Sequence, residues 1–237
     1  TKKGQILEEN NVLFTDFGTR RRRSFGIQNL AVYNLSKFKT FVGTSNVYLA
    51  KIYDLKFVGT QAHEWFMGIS AIEGLQHANK YSLMHWSNVY EGNLGIALSD
   101  TFGSDAFFED FSNIYSRMYD GVRQDSGDPI EFGEKLIKHY KKYYINPMYK
   151  SLLCSDGLDV EKVVKIKKHF ENKINTSFGI GTHFSNDVPG SEALNMVIKM
   201  TSCNGIPVVK LSDTPSKAVG DKDALRVAKW TFFKEPL

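Results

Sequence analysis

Short apolar runs recur along this chain, and several stop abruptly on an acidic or glycine-rich polar cluster. Ile96-Ala97-Leu98-Ser99-Asp100, Gly121-Val122-Arg123-Gln124-Asp125, Leu152-Leu153-Cys154-Ser155-Asp156 and Val208-Val209-Lys210-Leu211-Ser212-Asp213 end on an aspartate. Ser177-Phe178-Gly179-Ile180-Gly181-Thr182 ends in a glycine turn instead. Such runs predict short buried strands, and in a parallel β/α fold the strand carboxyl ends share the face that carries the site. Residues 40–44 and 56–60 both read as strands ending in Gly-Thr, joined by a short helix over 46–53 as a right-handed βαβ unit. Trp65, Ile69, Ile72 and Leu75 keep helical spacing in a long stretch over 62–88, which Gly68 and Gly74 weaken. Asp128-Pro129-Ile130-Glu131 is a helix start, with an acid at the N-cap and proline next; Leu136, Ile137 and Tyr140 follow on one face. Asp159 caps another helix, with Val160, Val163, Val164 and Phe170 as its stripe. Near the end, apolar residues 196–201 and 207–211 flank Cys203-Asn204-Gly205, an Asn-Gly signal for an antiparallel hairpin and a departure from a regular eightfold barrel.

The 237 residues suit one large α/β barrel or two smaller domains; without a low-complexity linker or strict repeat, a single domain over 1–237 is the reading. No apolar stretch approaches ~20 residues, which argues against a membrane span. A secretory leader pattern is also missing, and Cys154 and Cys203 have no metal-ligand spacing, so a cytoplasmic protein with reduced thiols is expected. The net charge of +4 permits a polyanionic small molecule and does not demand nucleic acid. Because the chain opens on Thr1-Lys2-Lys3 without methionine, we read it as a piece of a longer protein.

The densest chemistry is Arg123-Gln124-Asp125-Ser126-Gly127-Asp128-Pro129, a cation, carboxylates and a hydroxyl between a strand end and a helix N-terminus. A fixed guanidinium fork there suits a carboxylate or phosphate, whereas the plainer reading pairs Arg123 with Asp125 and leaves Asp128 as a cap. Gly59-Thr60-Gln61-Ala62-His63-Glu64 puts a histidine just inside a helix start, where imidazole basicity falls and a phosphate is stabilised; a structural histidine is the alternative. His77, His85, His139 and His169 read as helix-surface residues. The run Arg20-Arg21-Arg22-Arg23 after Asp16-Phe17-Gly18-Thr19 could clamp a pyrophosphate, be a solvated basic face, or bind nucleic acid. Its lack of interleaved aromatics counts against a single-strand groove. The turn at Gly179-Ile180-Gly181-Thr182 lets backbone amides approach a phosphate.

As an ordered set these segments resemble the nicotinate phosphoribosyltransferase family. The resemblance rests on Asp16-Phe17-Gly18-Thr19-Arg20-Arg21-Arg22, Gly43-Thr44-Ser45-Asn46, Gly59-Thr60-Gln61-Ala62-His63-Glu64-Trp65 and Leu98-Ser99-Asp100-Thr101-Phe102. It continues through residues 121–129, Ser155-Asp156-Gly157-Leu158-Asp159, Phe178-Gly179-Ile180-Gly181-Thr182 and Lys210-Leu211-Ser212-Asp213. It implies a type II phosphoribosyltransferase fold, an irregular β/α barrel beside a separate N-terminal domain that is missing here, working as a homodimer with a shared active site. The implied reaction, in NAD salvage, joins nicotinate to phosphoribosyl pyrophosphate, giving nicotinate mononucleotide and pyrophosphate with ATP hydrolysis and Mg2+. By position, His63 would be transiently phosphorylated by ATP, Arg123 would hold the nicotinate carboxylate, and Thr60 would lie beside the base. Asp100 and Asp125 would stabilise the cationic ribose and help position magnesium-bound pyrophosphate. Ser155, Gly157, Gly179, Gly181 and Thr182 would cradle the 5-phosphate, while Asp16 and Arg20 would line the base and pyrophosphate region. Neither a nucleic acid nor a membrane is an implied partner.

The implied family's N-terminal region, which supplies an aromatic that stacks on the base, has no counterpart here. Nicotinamide and quinolinate phosphoribosyltransferases share the fold, but the quinolinate enzyme lacks the ATP-linked histidine. The arginine run after Gly18-Thr19 favours nicotinate over nicotinamide. A sugar-phosphate aldolase or isomerase would want a Schiff-base lysine or base pair at strand ends, and Lys210 shows no evident partner in the sequence. A non-catalytic anion- or nucleic-acid-binding barrel using Arg20 to Arg23 is the remaining rival.

Overall fold

The computed structural model describes residues 2–234; Thr1 and residues 235–237, which the single-domain reading of 1–237 includes, lie outside the described residues. The chain is α/β, with its longer strands paired in parallel. It divides into two compact units, one from Thr1–Gly59 and Ser151–Val197, the other from Thr60–Lys150 and Ile198–Leu237.

In the first unit the strands run in the order Phe41–Thr44, Phe14–Asp16, Asn175–Ile180, Ser151–Cys154, all parallel. Asp16 lies opposite Thr44 on one side and Ile180 on the other, so the polar residues that follow each strand emerge along one edge. Phe14, Leu152, Phe178 and Ile180 are buried, and Phe14 packs against Phe41 and Phe184 at centroid distances of 5.4 and 5.6 Å. Flanking helices begin where the sequence supplies a cap. Asn46 starts Val47–Ile52 by accepting from the Leu49 N–H, and Asp159 starts Val160–His169 by accepting from the Lys162 N–H. Of the expected stripe on the latter helix, Val163 and Phe170 are buried and Ile166 joins them, whereas Val160 and Val164 are half-buried. The helix Lys2–Glu9, which burying Leu7 anchors, was not anticipated from its polar sequence.

The strand expected over 56–60 does not form: Phe57 alone bridges Thr44. Gly43 accounts for the close approach there, because a Cβ on it would lie 1.9 Å from the Lys56 carbonyl oxygen, and its φ is +153°.

In the second unit Ile96–Leu98 pairs in parallel with Gly121–Gln124, Leu98 opposite Arg123. The stretch expected as one helix breaks at Gly74, whose φ of +92° ends His63–Glu73 before a 3-10 turn and the helix Ala78–Tyr90. Its buried face is Phe66, Met67 and Ile69, while Ile72 is 60% exposed, so the expected apolar stripe is rotated. Asp128 caps Pro129–Lys142, accepting from Ile130 N–H at 2.8 Å and Glu131 N–H at 2.9 Å. The hairpin forms around Asn204-Gly205 as the antiparallel pair Ser202–Cys203 and Ile206–Pro207, shorter than the flanking apolar runs. Phe66, Leu98, Phe102, Val209, Leu211 and Ala228 form one buried cluster, with Phe232 stacked on Phe102 at 4.9 Å. Among the described residues no helix is long and apolar enough to cross a membrane.

Candidate active site

The second unit gathers His63, Asp100, Asp125, Arg123 and Thr60 in one polar cluster. Two elements bring His63 and Asp100 together: the helix that His63 opens, and the strand Ile96–Leu98, which Asp100 follows. Gln61 ties these elements to each other, since its Oε1 accepts the Leu98 N–H at 3.0 Å. His63 Nε2 lies 2.9 Å from Asp100 Oδ1 and 3.5 Å from Asp125 Oδ2. Both neighbours are carboxylates, so a neutral His63 carries its proton on Nε2 and keeps its lone pair on Nδ1. Arg123 bridges outward: Nη2 meets Asp125 Oδ1 at 2.9 Å and Nη1 donates to Thr60 Oγ1 at 2.8 Å. The plainer sequence reading of Arg123, a pair with Asp125, is what the geometry shows, and its other terminal nitrogen fixes Thr60 beside it.

Asp100 is the hub. Its Oδ2 accepts from Ser126 Oγ at 2.7 Å and lies 3.2 Å from Lys210 Nζ and 3.4 Å from Ser212 Oγ. Lys210 thus has the partner that its sequence context hid. Lys210 and Ser212 sit two residues apart and reach the same oxygen, Ser212 with a left-handed φ of +71°. Asp213 joins the cluster: its N–H donates to Ser126 Oγ at 3.1 Å, and its Oδ1 accepts the Ser104 N–H. Burial raises the Asp213 carboxyl above its usual range.

The titrating groups divide by environment. Burial outweighs the Asp100 bond at His63 and holds its imidazole below the ordinary histidine value, so it stays neutral. Burial alone would raise Asp100, but the His63 hydrogen bond, the Lys210 charge and the Ser126 hydroxyl overcome it and keep the carboxyl well below its usual range. At Asp125 burial is likewise overcome, chiefly by Arg123, and the carboxyl is held low.

His63, Asp100 and Asp125 offer ligand atoms within 4.8 Å of one another. They do not fit a resident Mg2+. That ion prefers octahedral oxygen ligation and keeps its waters, whereas this set includes a nitrogen and carboxylates already engaged by Lys210, Ser126 and Arg123.

The remaining expected site residues all lie in the first unit. Asp16 is fully buried: Oδ1 accepts the Gly18 N–H at 2.9 Å, and Oδ2 accepts from Gln28 Nε2 at 2.8 Å and Thr44 Oγ1 at 2.7 Å. Burial leads and leaves its carboxyl raised despite these donors. Gln28 Oε1 in turn accepts from Arg22 Nη1 at 2.9 Å, so the arginine run is oriented through a side chain that the sequence reading passed over. Arg20 sits in the 3-10 turn Thr19–Arg21. Ser155 and Gly157 follow the strand Ser151–Cys154, Gly157 with a left-handed φ of +52°. Gly179 lies inside its strand, where a Cβ would fall 2.3 Å from the Phe17 ring; Gly181 follows, then Thr182 opens a single helical turn.

His139 departs from its surface reading. It is buried on Pro129–Lys142, its Nε2 2.8 Å from the Phe111 carbonyl oxygen and 3.1 Å from Ser116 Oγ. His85, half-buried, pairs with Glu73 at 2.8 Å.

Parallel strands followed by Asp100 and Asp125, with a buried histidine at a helix start beside them, define an α/β protein with a polar cluster past its strand ends. The chain belongs to the nicotinate phosphoribosyltransferase (NAPRTase) family, whose model matches residues 12–236. It is 54% identical over 230 residues to the nicotinate phosphoribosyltransferase of Methanosarcina mazei, covering 96% of this chain and 57% of that protein. With the Methanococcoides burtonii protein of the same name the identity is 51% over 237 residues, 99% of this chain and 58% of that protein. The crystal structure of nicotinate phosphoribosyltransferase from Porphyromonas gingivalis matches with a TM-score of 0.94 at 35% identity, over 98% of this chain and 62% of that one. The Vibrio cholerae structure of the same name gives 0.93 at 37% identity, over 100% and 60%. The chain thus spans less than two thirds of the length of each.

Proposed function

We propose that the complete protein is a nicotinate phosphoribosyltransferase of NAD salvage, joining nicotinate to phosphoribosyl pyrophosphate with ATP hydrolysis. The observation that carries this reading is the buried His63–Asp100 pair with the Asp125–Arg123–Thr60 group beside it, in a chain of this family. The nicotinate ring nitrogen attacks the ribose anomeric carbon, and the bond to pyrophosphate breaks with its electron pair leaving on the pyrophosphate. Positive charge builds on the sugar as it does so, and the low-lying carboxyls of Asp100 and Asp125 are fixed anions suited to stabilising it. Arg123, braced by Asp125 and Thr60, would orient the nicotinate carboxylate. Magnesium would come as the counterion of the substrate phosphates, consistent with a donor set that does not fit a resident ion.

In the ATP step, His63 attacks the γ-phosphorus through Nδ1 and ADP departs with the electrons of the broken P–O bond. The resulting phosphoimidazolium keeps its Nε2 proton against Asp100. Ser155, Gly157, Gly179, Gly181 and Thr182 would hold the 5-phosphate, with Arg20 toward the pyrophosphate and Asp16 shaping that turn from beneath through Gln28 and Arg22. The strands would belong to one irregular β/α barrel of the type II kind, in a cytoplasmic homodimer whose shared site an N-terminal domain completes.

The test is turnover of phosphoribosyl pyrophosphate by the complete protein with radiolabelled nicotinate and nicotinamide in parallel. Nicotinate should be the substrate, and His63→Ala should abolish ATP stimulation while slow ATP-independent synthesis survives. No turnover of nicotinate would sink the reading, and unchanged ATP coupling in the variant would remove His63 from it.

A further inference from the structure

Lys210 is a buried cation whose ammonium faces the oxygen of Asp100 that His63 does not use. Its backbone is pinned, donating to the Val219 carbonyl at 2.8 Å and accepting from the Val219 N–H at 2.9 Å. The next residue, Leu211, donates its N–H to the Thr101 carbonyl at 2.8 Å, which ties this segment to the residue following Asp100. From that fixed base the Lys210 side chain, 7% exposed, reaches Asp100 Oδ2 at 3.2 Å, while His63 Nε2 holds Oδ1 at 2.9 Å. The carboxylate is thereby shared between a cation and an imidazole N–H.

We propose that Lys210 is a positioning residue: by neutralising and orienting Asp100, it keeps His63 as the neutral Nε2–H tautomer, with the Nδ1 lone pair available to accept a phosphoryl group. The inference deepens the phosphoryl-acceptor reading of His63 and rests on it. Its physical basis is charge balance. Asp100 and Asp125 both face His63, and a buried imidazole between two unneutralised carboxylates is driven to imidazolium, which has no lone pair to offer. Arg123 compensates Asp125 at 2.9 Å, and Lys210 compensates Asp100. Glu64, the remaining acid beside His63 and on its own helix, is compensated by Lys199 at 3.0 Å. Each of these three carboxylates therefore has a cation beside it, and Lys210 serves the one that bonds the ring directly.

The experiment uses the complete protein with nitrogen-15 histidine. Long-range proton–nitrogen spectra report the His63 tautomer and charge, and His63→Asn identifies its signals. Phosphohistidine formed from radiolabelled ATP is followed against pH on the same samples. In wild type His63 should be neutral with its proton on Nε2. In Lys210→Met the ring should become imidazolium at the same pH, and the pH profile of phosphohistidine formation should move up by roughly one unit, a loss of about tenfold on the acid side. Lys210→Arg should restore both signatures. Should Lys210→Met fail to fold, Lys210→Gln, which keeps a donor but no charge, carries the same test. An unchanged His63 tautomer and pH profile in the uncharged variants would overturn the proposal. If wild type forms no phosphohistidine while the tautomer shifts in Lys210→Met, the positioning role stands and the phosphoryl-acceptor reading falls.

Discussion

Replacing Asp100 by asparagine removes one charge from a site where almost no water can replace it. The Asp100 side chain is 1% exposed and that of Lys210 is 7% exposed. Breaking a buried pair by removing one partner costs about 3–5 kcal/mol, because the other charge is left desolvated. The bonds from His63 and Ser126 also lose their ionised acceptor, so the upper part of that range is expected. If the stranded Lys210 charge is the main cause, Lys210→Met should repair part of the damage. The Asp100→Asn/Lys210→Met double variant should then be more stable than the sum of the single losses predicts, by ~2 kcal/mol, within the range of coupling between contacting residues. Urea unfolding followed by tryptophan fluorescence measures this, since Trp65 and Trp86 lie 5.7 Å apart in the same unit. The midpoint should move at constant slope. Additivity of the two single losses within about 0.5 kcal/mol would refute the argument, because Lys210 and Asp100 would then contribute independently.

Gly43→Ala should destabilise the chain by about 1–3 kcal/mol, read as a lower melting temperature, since its Cβ would overlap the Lys56 carbonyl oxygen at 1.9 Å and the backbone must give. Stability should fall as pH drops below about 6.5, because burial keeps native His63 neutral while the unfolded residue takes up a proton there. His63→Gln should make that limb shallower in urea midpoints measured between pH 7 and about 5, the part left over coming from His139, which burial also holds below the ordinary histidine value. The further fall below about pH 4, where the depressed Asp100 carboxyl gives up its contribution, should remain.

The sequence revealed features whose causes are local. Asp128 caps its helix through N–H groups two and three residues ahead, and Asn204-Gly205 turns a hairpin with φ values of +52° and +77°, so both could be read from a few neighbouring residues. Gly74 was legible as a weak point, and the glycine alone explains the break. Illegible features depend on partners far along the chain. Residues 56–60 look like a strand, but only Phe57 bridges Thr44, next to the point where Gly43 lets the Lys56 carbonyl approach. Lys210 meets Asp100 from far along the chain, which no local pattern encodes. His139 was misread for a different reason: it lies on the same helical face as buried Phe132 and Leu136, three residues past Leu136, and the spacing rule that found those residues should have taken it inward.

The Gln61 bond bears on how the site tolerates motion. His63 and Asp100 are 37 positions apart in sequence, yet each lies two residues from one end of the Gln61 Oε1 to Leu98 N–H link. A side-chain amide here stands in for a neighbouring strand, so the helix start and the strand end form one mechanical piece. The bond opposes sliding of one element past the other without engaging either reactive side chain. Part of the alignment of the pair is therefore held outside it, in a glutamine whose side-chain oxygen bonds the Leu98 N–H rather than His63 or Asp100.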